Sequence, residues 1–116
     1  PFLPGDTDLG QLRTIWTALG TPTQADWPEV ASLPDWVPFT PQPAPPLRSI
    51  FNAATEDALD LLAQMLRLNP AQRITAHQAL AHPYFVNLPR PTPPAQLPRP
   101  TPREPAAPAM APRRLF

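Results

Sequence analysis

The densest apolar run of this chain is TEDALDLLAQMLRLNPAQRITAHQALAHPYF, residues 55–85. Its apolar side chains recur three or four residues apart, which is the spacing of an α-helical face. They cover more than half of the helix circumference, so the pattern predicts a helix over about 55–68 that is buried on most sides. Asn69 and Pro70 follow, and they predict its end because the residue before proline avoids the helical region.

A second, shorter helix is predicted over about 75–81. Thr75 is followed three residues later by Gln78, and this pair has the sequence signature of a capping box. His82 and Pro83 come directly after the predicted helix, and they predict that it stops there.

A further helix is predicted near the start of the chain, over about 8–19. Asp6 or Asp8 can cap its first turn, and Gly20 offers the left-handed residue at which helices commonly stop. Residues 20–54 are then predicted to form an insert loop, because closely spaced prolines remove backbone donors and disfavour a strand. The sequence therefore predicts a mainly α fold.

Composition divides the chain near residue 88. Of the 22 prolines, ten lie between residues 89 and 112. Residues 1–88 carry four arginines and eight acidic residues, a balance of −4, whereas residues 89–116 carry five arginines and one glutamate, a balance of +4. We predict a partial domain over 1–88 and a disordered, proline-rich tail over 89–116. The charge density is too low to indicate direct nucleic-acid binding.

Other classes of protein are disfavoured by what the sequence lacks. The chain has no cysteine, so disulfides and thiolate metal sites are excluded. It has no apolar run of the roughly 18 residues that a membrane span requires, and no signal peptide at its start. Because the first residue is Pro1 and not methionine, we expect a fragment of a longer protein.

Three motifs resemble eukaryotic protein kinases. The run from Leu62 to Phe85, with its Asn-Pro, Arg-Ile-Thr-Ala and His-Pro-Tyr-Phe groups, is similar to the end of the kinase C-terminal lobe. Residues 4–22 resemble the start of an insert in the cyclin-dependent and MAP-kinase branch. Residues 90–100, RPTPPAQLPRP, are similar to the tail of the CDK-activating kinases associated with transcription factor H. The resemblance implies the C-terminal end of the kinase large lobe, helices plus a proline-rich insert loop.

The resemblance implies an activity for the parent protein that this chain cannot perform alone. A CDK-activating kinase transfers phosphate from Mg-ATP to activation loops of other kinases and to the RNA polymerase II repeat tail. A cyclin, a RING-type assembly factor and a nuclear location are implied with it. This chain has no lysine and no Gly-x-Gly, which kinases use to hold ATP. We therefore expect lobe structure and a docking surface, with no catalytic, cofactor-binding or metal-binding residue.

Two other hypotheses remain open. One is a non-catalytic binding or adaptor module with a proline-rich tail. The other is an independently stable helical domain, which predicts a cooperative melt. Against the second, the wide apolar stripe of the main helix leads us to expect exposed apolar surface and a tendency to associate.

The body of the chain contains a few candidate functional residues. Arg73 lies between two predicted helices in an apolar neighbourhood, where an unpaired cation is costly. The resemblance implies that it pairs with the glutamate of an Ala-Pro-Glu motif outside this chain, and a local carboxylate or solvent is the alternative. Trp27, Trp36 and Phe39 either pin the insert loop to the helices or form a docking patch, since aromatic side chains are good anchors.

The remaining candidates are polar. His77 is expected to be a solvated helix residue and His82 a helix-ending contact, while Asp57 and Asp60 are expected to be solvated or capping. In the tail, Thr92 and Thr101 each precede a proline and are candidate sites of proline-directed phosphorylation. The segment from Arg99 to Pro105 has the arginine and proline spacing that fits a groove of SH3 type.

Overall fold

The computed structural model describes residues 1–102, and over that range the chain is helical, without a β-strand. This confirms the mainly α prediction. Two short 3₁₀ helices cover Val30–Ser32 and Pro94–Gln96. The α-helices within residues 1–102 are α1 (Asp8–Leu19), α2 (Leu47–Ile50), α3 (Glu56–Met65), α4 (Ala76–Leu80) and α5 (Pro83–Val86). No helix among the described residues is long and apolar enough to cross a membrane.

Helix α1 starts at a cap that differs from the predicted one. The side chain of Thr7 accepts a hydrogen bond from the Gly10 amide at 3.0 Å, whereas Asp6 and Asp8 were the expected caps. Thr7 has extended backbone angles (φ −133°, ψ 164°) and Asp8 is already inside the helix. A capping side chain must come from the last non-helical residue, so Thr7 fills that position.

The insert loop folds back onto the end of α1. Gly20 has φ 80°, and a Cβ there would lie 2.8 Å from the Ala44 amide nitrogen. The Thr21 amide donates to the Gln42 carbonyl at 3.0 Å, and the Gln42 amide donates to the Thr21 hydroxyl at 3.0 Å. Glycine is therefore required at position 20 both for its backbone angle and for the close approach of the returning loop.

Helix α3 ends at Met65, three residues before the predicted end at residue 68. The amides of Ala71 and Gln72 donate to Asn69, so they do not extend the helical ladder to the carbonyls of residues 67 and 68. Those two carbonyls accept bonds from the Arg73 guanidinium. The Ile74 amide donates to the Gln64 carbonyl at 3.2 Å. The turn after α3 therefore folds back against the helix end.

Helix α4 has the predicted capping box, and α5 is a helix that the pattern did not predict. The Thr75 side chain accepts from the Gln78 amide and the Gln78 side chain accepts from the Thr75 amide. His82 and Pro83 end α4 as expected, but Pro83 also occupies the first position of α5. Proline is favoured there because its fixed φ suits a helix and the missing N–H is not needed.

The described chain buries little apolar surface. Its buried hydrophobic residues are Trp16, Val30, Leu59 and Leu61. The radius of gyration is 21.5 Å, compared with about 13 Å for a compact domain of 100 residues. The accessible surface is 10131 Å², compared with about 6,300 Å² for a compact monomer of this mass. On α3 to α5, the exposed large hydrophobic residues are Met65, Leu80, Tyr84 and Val86.

Candidate docking surfaces

The first candidate surface is a cleft between α1 and the insert loop, which we call the aromatic cleft. It encloses about 340 Å³. The residues that line it are Leu9, Arg13, Trp16, Thr21, Val37, Pro38, Phe39, Thr40 and Gln42. The rings of Trp16 and Phe39 meet edge to face, with centroids 6.0 Å apart and an interplanar angle of 76°. This contact pins the insert loop to α1, and aromatic pairs prefer that geometry.

The buried indole N–H of Trp16 has no hydrogen-bond partner among the described residues. Trp16 is only 8% exposed, and a buried donor without an acceptor is destabilising by roughly 1–3 kcal/mol. Helical spacing of apolar residues gives no indication of this unpaired donor.

The three aromatic residues predicted to act together are not brought to one place. Phe39 lines the aromatic cleft, but Trp27 and Trp36 do not. The Trp27 amide donates to the Thr23 carbonyl at 2.8 Å and the Trp36 amide to the Leu33 carbonyl at 3.1 Å. Each tryptophan therefore belongs to its own local turn, with its side chain half-buried.

The second candidate surface is an open groove between α3, α4 and α5, which we call the apolar groove. It encloses about 570 Å³. Its lining consists of Ala58, Leu61, Leu62, Met65, Ala76, Ala79, Leu80, Tyr84 and Phe85. Leu80 is 70% exposed, Met65 42% and Tyr84 46%. Contiguous exposed apolar surface of this kind is typical of places where another protein segment packs.

Arg73 does not form an ion pair within the described residues. Its Nε donates to the Arg67 carbonyl at 3.0 Å and a terminal nitrogen to the Leu68 carbonyl at 3.3 Å. The side chain is exposed, so the expected apolar neighbourhood is absent here. The guanidinium closes the turn after α3, and the ion pair with a carboxylate outside this chain stays a prediction.

His82 joins α3 to α5 and is one of two buried polar residues among those described, at 7% exposed. Its Nδ1 accepts a hydrogen bond from the Tyr84 amide at 3.0 Å. Its Nε2 lies 2.6 Å from an Asp60 carboxylate oxygen. The hydrogen bond from His82 lowers the pKa of Asp60 below its usual 3.8, with a smaller contribution from Gln64. The sequence predicted His82 as a helix-ending contact but gave no sign of its pairing with Asp60.

The other predicted polar sites lie apart from these surfaces. The Asp57 carboxylate accepts from the Asn87 side chain at 2.6 Å, and His77 is exposed on α4. Thr92 and Thr101 are both exposed. Residues 103–105 of the predicted SH3-type segment lie outside the described residues. Among residues 1–102, no group of three or more His, Asp or Glu is close enough to hold a metal ion.

Similarity to known proteins covers most of the chain. Cyclin-dependent kinase D-1 of Oryza sativa is 52% identical over 103 residues, which is 89% of this chain and 24% of the relative. Cyclin-dependent kinase 7 of Xenopus laevis is 54% identical over 100 residues, 86% of this chain and 28% of the relative. Cyclin-dependent kinase 7 of Dictyostelium discoideum is 48% identical over 100 residues. The chain thus spans about a quarter of the relatives it matches. No protein-family model matches the chain.

Proposed function

We propose that this chain, which is homologous to a C-terminal segment of the CDK-activating cyclin-dependent kinases, forms the end of the large lobe of such an enzyme. The observation that carries this proposal is the run 55–85, which folds as helix, turn and two short helices. This run carries the motifs that resemble the kinase lobe, and it also lies within the part of the chain that matches cyclin-dependent kinases.

The parent protein would transfer phosphate from Mg-ATP to hydroxyl groups of proteins. The resemblance favours threonines in activation loops of other kinases and the RNA polymerase II repeat tail as substrates. A cyclin partner follows from the names of the relatives. A RING-type assembly factor and a nuclear location rest on the resemblance alone.

This chain would contribute structure and contact surfaces to that enzyme, because it contains no lysine and no glycine-rich phosphate loop. The apolar groove would be the face on which the rest of the lobe packs, since Leu80 and Met65 are exposed in the chain by itself. The aromatic cleft lies beside the insert loop, where the exposed Val37 and Thr40 could contact a partner protein.

A chimaera tests the kinase assignment directly. The matched segment of the Xenopus laevis cyclin-dependent kinase 7 is replaced by residues 1–116, and the chimaera is assayed with its cyclin, Mg-ATP and a kinase substrate. We expect phosphate transfer comparable to that of the parent kinase, and none from residues 1–116 alone. A soluble, helical chimaera that binds cyclin but is inactive would contradict the proposal.

The second candidate function is a non-catalytic binding module. The aromatic cleft favours it, because this cleft of about 340 Å³ is lined by Phe39 and the exposed Val37, and aromatic side chains are good anchors for a partner. This hypothesis predicts that the chain folds cooperatively by itself. A melt without a cooperative transition, combined with an active chimaera, would decide for the kinase assignment.

A further inference from the structure

A six-residue unit occurs twice near the end of the described chain. Leu-Pro-Arg-Pro-Thr-Pro occupies residues 88–93 and again residues 97–102. Both copies lie within the described part of the chain, and the three residues between them form the short 3₁₀ helix Pro94–Gln96. A protein that recognises one copy can therefore recognise the same side chains, in the same order, in the other copy.

Both copies are extended where they flank the 3₁₀ helix, and both are exposed. Pro93 has φ −54° and ψ 140°, and Leu97 has φ −72° and ψ 141°. Every residue from 88 to 102 is exposed. Among the described residues, no hydrogen bond involves the hydroxyl of Thr92 or Thr101. Each threonine is therefore accessible on an extended backbone, as a peptide substrate must be.

The spacing that fits an SH3-type groove is not common to the two copies, because Pro105 lies three residues beyond the second copy, whereas Gln96 holds that position after the first. A polyproline II helix has three residues per turn, and grooves of SH3 type bind prolines that are three residues apart. Within the repeated unit the prolines are two residues apart, so they do not share one face of such a helix. What the two copies do share is a hydroxyl followed by proline and preceded, two residues earlier, by arginine.

We propose that Thr92 and Thr101 are a matched pair of phosphorylation sites for a proline-directed protein kinase. The γ-phosphoryl group of ATP is transferred to the threonine Oγ1: its bond to the ADP oxygen breaks, the Oγ1–P bond forms, and a base of the modifying kinase takes the hydroxyl proton. This proposal does not depend on the parent protein being a kinase itself.

The modification changes the charge of the tail. Each phosphate carries about −1.5 to −2 at neutral pH and lies two residues after Arg90 or Arg99, within reach of a charge-assisted hydrogen bond. Residues 89–116 have a balance of +4, which two phosphates lower to about zero or +1. Double phosphorylation thereby removes most of the net positive charge of the tail.

The chain provides its own controls, because two further threonines precede prolines. Thr21 is half-buried and its hydroxyl accepts from the Gln42 amide at 3.0 Å. Thr40 is exposed but lies outside the repeated unit, in the loop pinned by Phe39. If a proline after threonine were sufficient, Thr40 would be modified as fast as Thr92 and Thr101.

The test is a time course with the full 116-residue chain, Mg-ATP and a purified proline-directed Ser/Thr kinase, with sites mapped by mass spectrometry. We expect two phosphates per chain, at Thr92 and Thr101, with Thr21 unmodified and Thr40 slower than either. Thr92→Val and Thr101→Val each lose one phosphate. Pro93→Ala and Pro102→Ala each lose the phosphate at the threonine they follow, although the hydroxyl is still present.

Two results would overturn the proposal. One is the absence of phosphate from both tail threonines in the full chain, and the other is modification of Thr40 at the same rate. A peptide of residues 86–105 serves as a second substrate that needs no fold. Modification of the peptide but not of the full chain would show that the fold shields the tail, and this also contradicts the accessibility on which the proposal rests.

Discussion

At the scale of single residues, His82 is a buried side chain with a polar partner at each of its two ring nitrogens. Its Nδ1 accepts from the Tyr84 amide, so Nδ1 cannot carry a proton while that bond exists. The ring proton then lies on Nε2, where it is donated to Asp60. The imidazole caps α5 with one nitrogen and ties that helix to α3 with the other, and both contacts require the same tautomer.

The His82 contact predicts the titration of Asp60. The His82 hydrogen bond lowers the pKa of Asp60 below its usual value of 3.8. The stabilisation from this hydrogen bond is therefore fully present above pH 3.8. It is lost as the pH falls through the lowered pKa of Asp60. NMR titration should find the Asp60 midpoint below 3.8. In His82→Asn, whose shorter side chain can still cap α5, the midpoint should rise. An unchanged midpoint in that variant would contradict the pairing.

Arg73 gives a second prediction at this scale, in the chimaeric kinase described above. Arg73→Ala removes both the closure of the turn after α3 and the proposed ion pair with a carboxylate outside this chain. Loss of one partner from a buried ion pair costs about 3–5 kcal/mol, so we expect loss of folded, active enzyme. Arg67→Ala is the matched control, because that arginine is exposed and precedes the turn. Equal activity of the two variants would leave Arg73 with a local role only.

At the scale of elements, the insert loop depends on the Phe39–Trp16 contact. In a chain with Trp27→Phe and Trp36→Phe, Trp16 is the one remaining tryptophan. Phe39→Ala should then shift Trp16 fluorescence to longer wavelength and increase its quenching by iodide, because water reaches the indole. Val37→Ala, which changes another residue of the aromatic cleft, is the control and should change the emission much less. A similar red shift in both variants would mean that Phe39 shields the Trp16 indole from water no more than Val37 does.

Because helix α4 is short, its N-terminal cap should determine the fraction of molecules in which the helix is formed. It has five residues, and the Thr75 hydroxyl accepts from the Gln78 amide at 3.1 Å. Thr75→Ala should destabilise the helix by about 1 kcal/mol, and Cα chemical shifts of residues 76–80 should move toward coil values. Thr75→Ser keeps the hydroxyl and should keep the shifts. Helical shifts in the alanine variant would show that packing, and not capping, maintains α4.

At the scale of the whole molecule, exposed apolar surface should dominate the solution behaviour of the chain. The apolar groove is open, and only four hydrophobic residues among those described are buried. We expect a broad thermal transition by circular dichroism, strong binding of a hydrophobic dye, and association that increases with concentration. A sharp melt with little dye binding would contradict this picture and favour the binding-module hypothesis.

The apolar groove should account for most of that dye binding. Met65→Glu and Leu80→Glu place charges on its exposed side chains and should reduce both dye fluorescence and association. Leu88→Glu is the matched control, because Leu88 is 83% exposed but is not among the residues that line the groove. If the control lowers dye binding equally, the dye is not bound in the groove.

The sequence by itself determined the local features of this protein. The helical spacing in residues 55–68, the capping box of Thr75 and Gln78, and the stop at Gly20 all depend on neighbours in the chain, so a pattern can predict them. The resemblance of residues 62–85 to the kinase lobe depends on residue types at fixed spacing, and the relatives confirm it. The same reasoning missed the Thr7 cap, because Asp6, Thr7 and Asp8 are all good capping residues.

Only the tertiary structure decided which distant residues meet. The Asp60–His82 pair joins residues 22 positions apart, and the Asn69 side chain donates to the Asp26 carbonyl across 43 positions at 3.2 Å. The Trp16–Phe39 contact and the separation of Trp27 and Trp36 from it likewise depend on how the insert loop returns to α1. Such contacts follow from the path of the whole chain, and no spacing within one helix or turn encodes them.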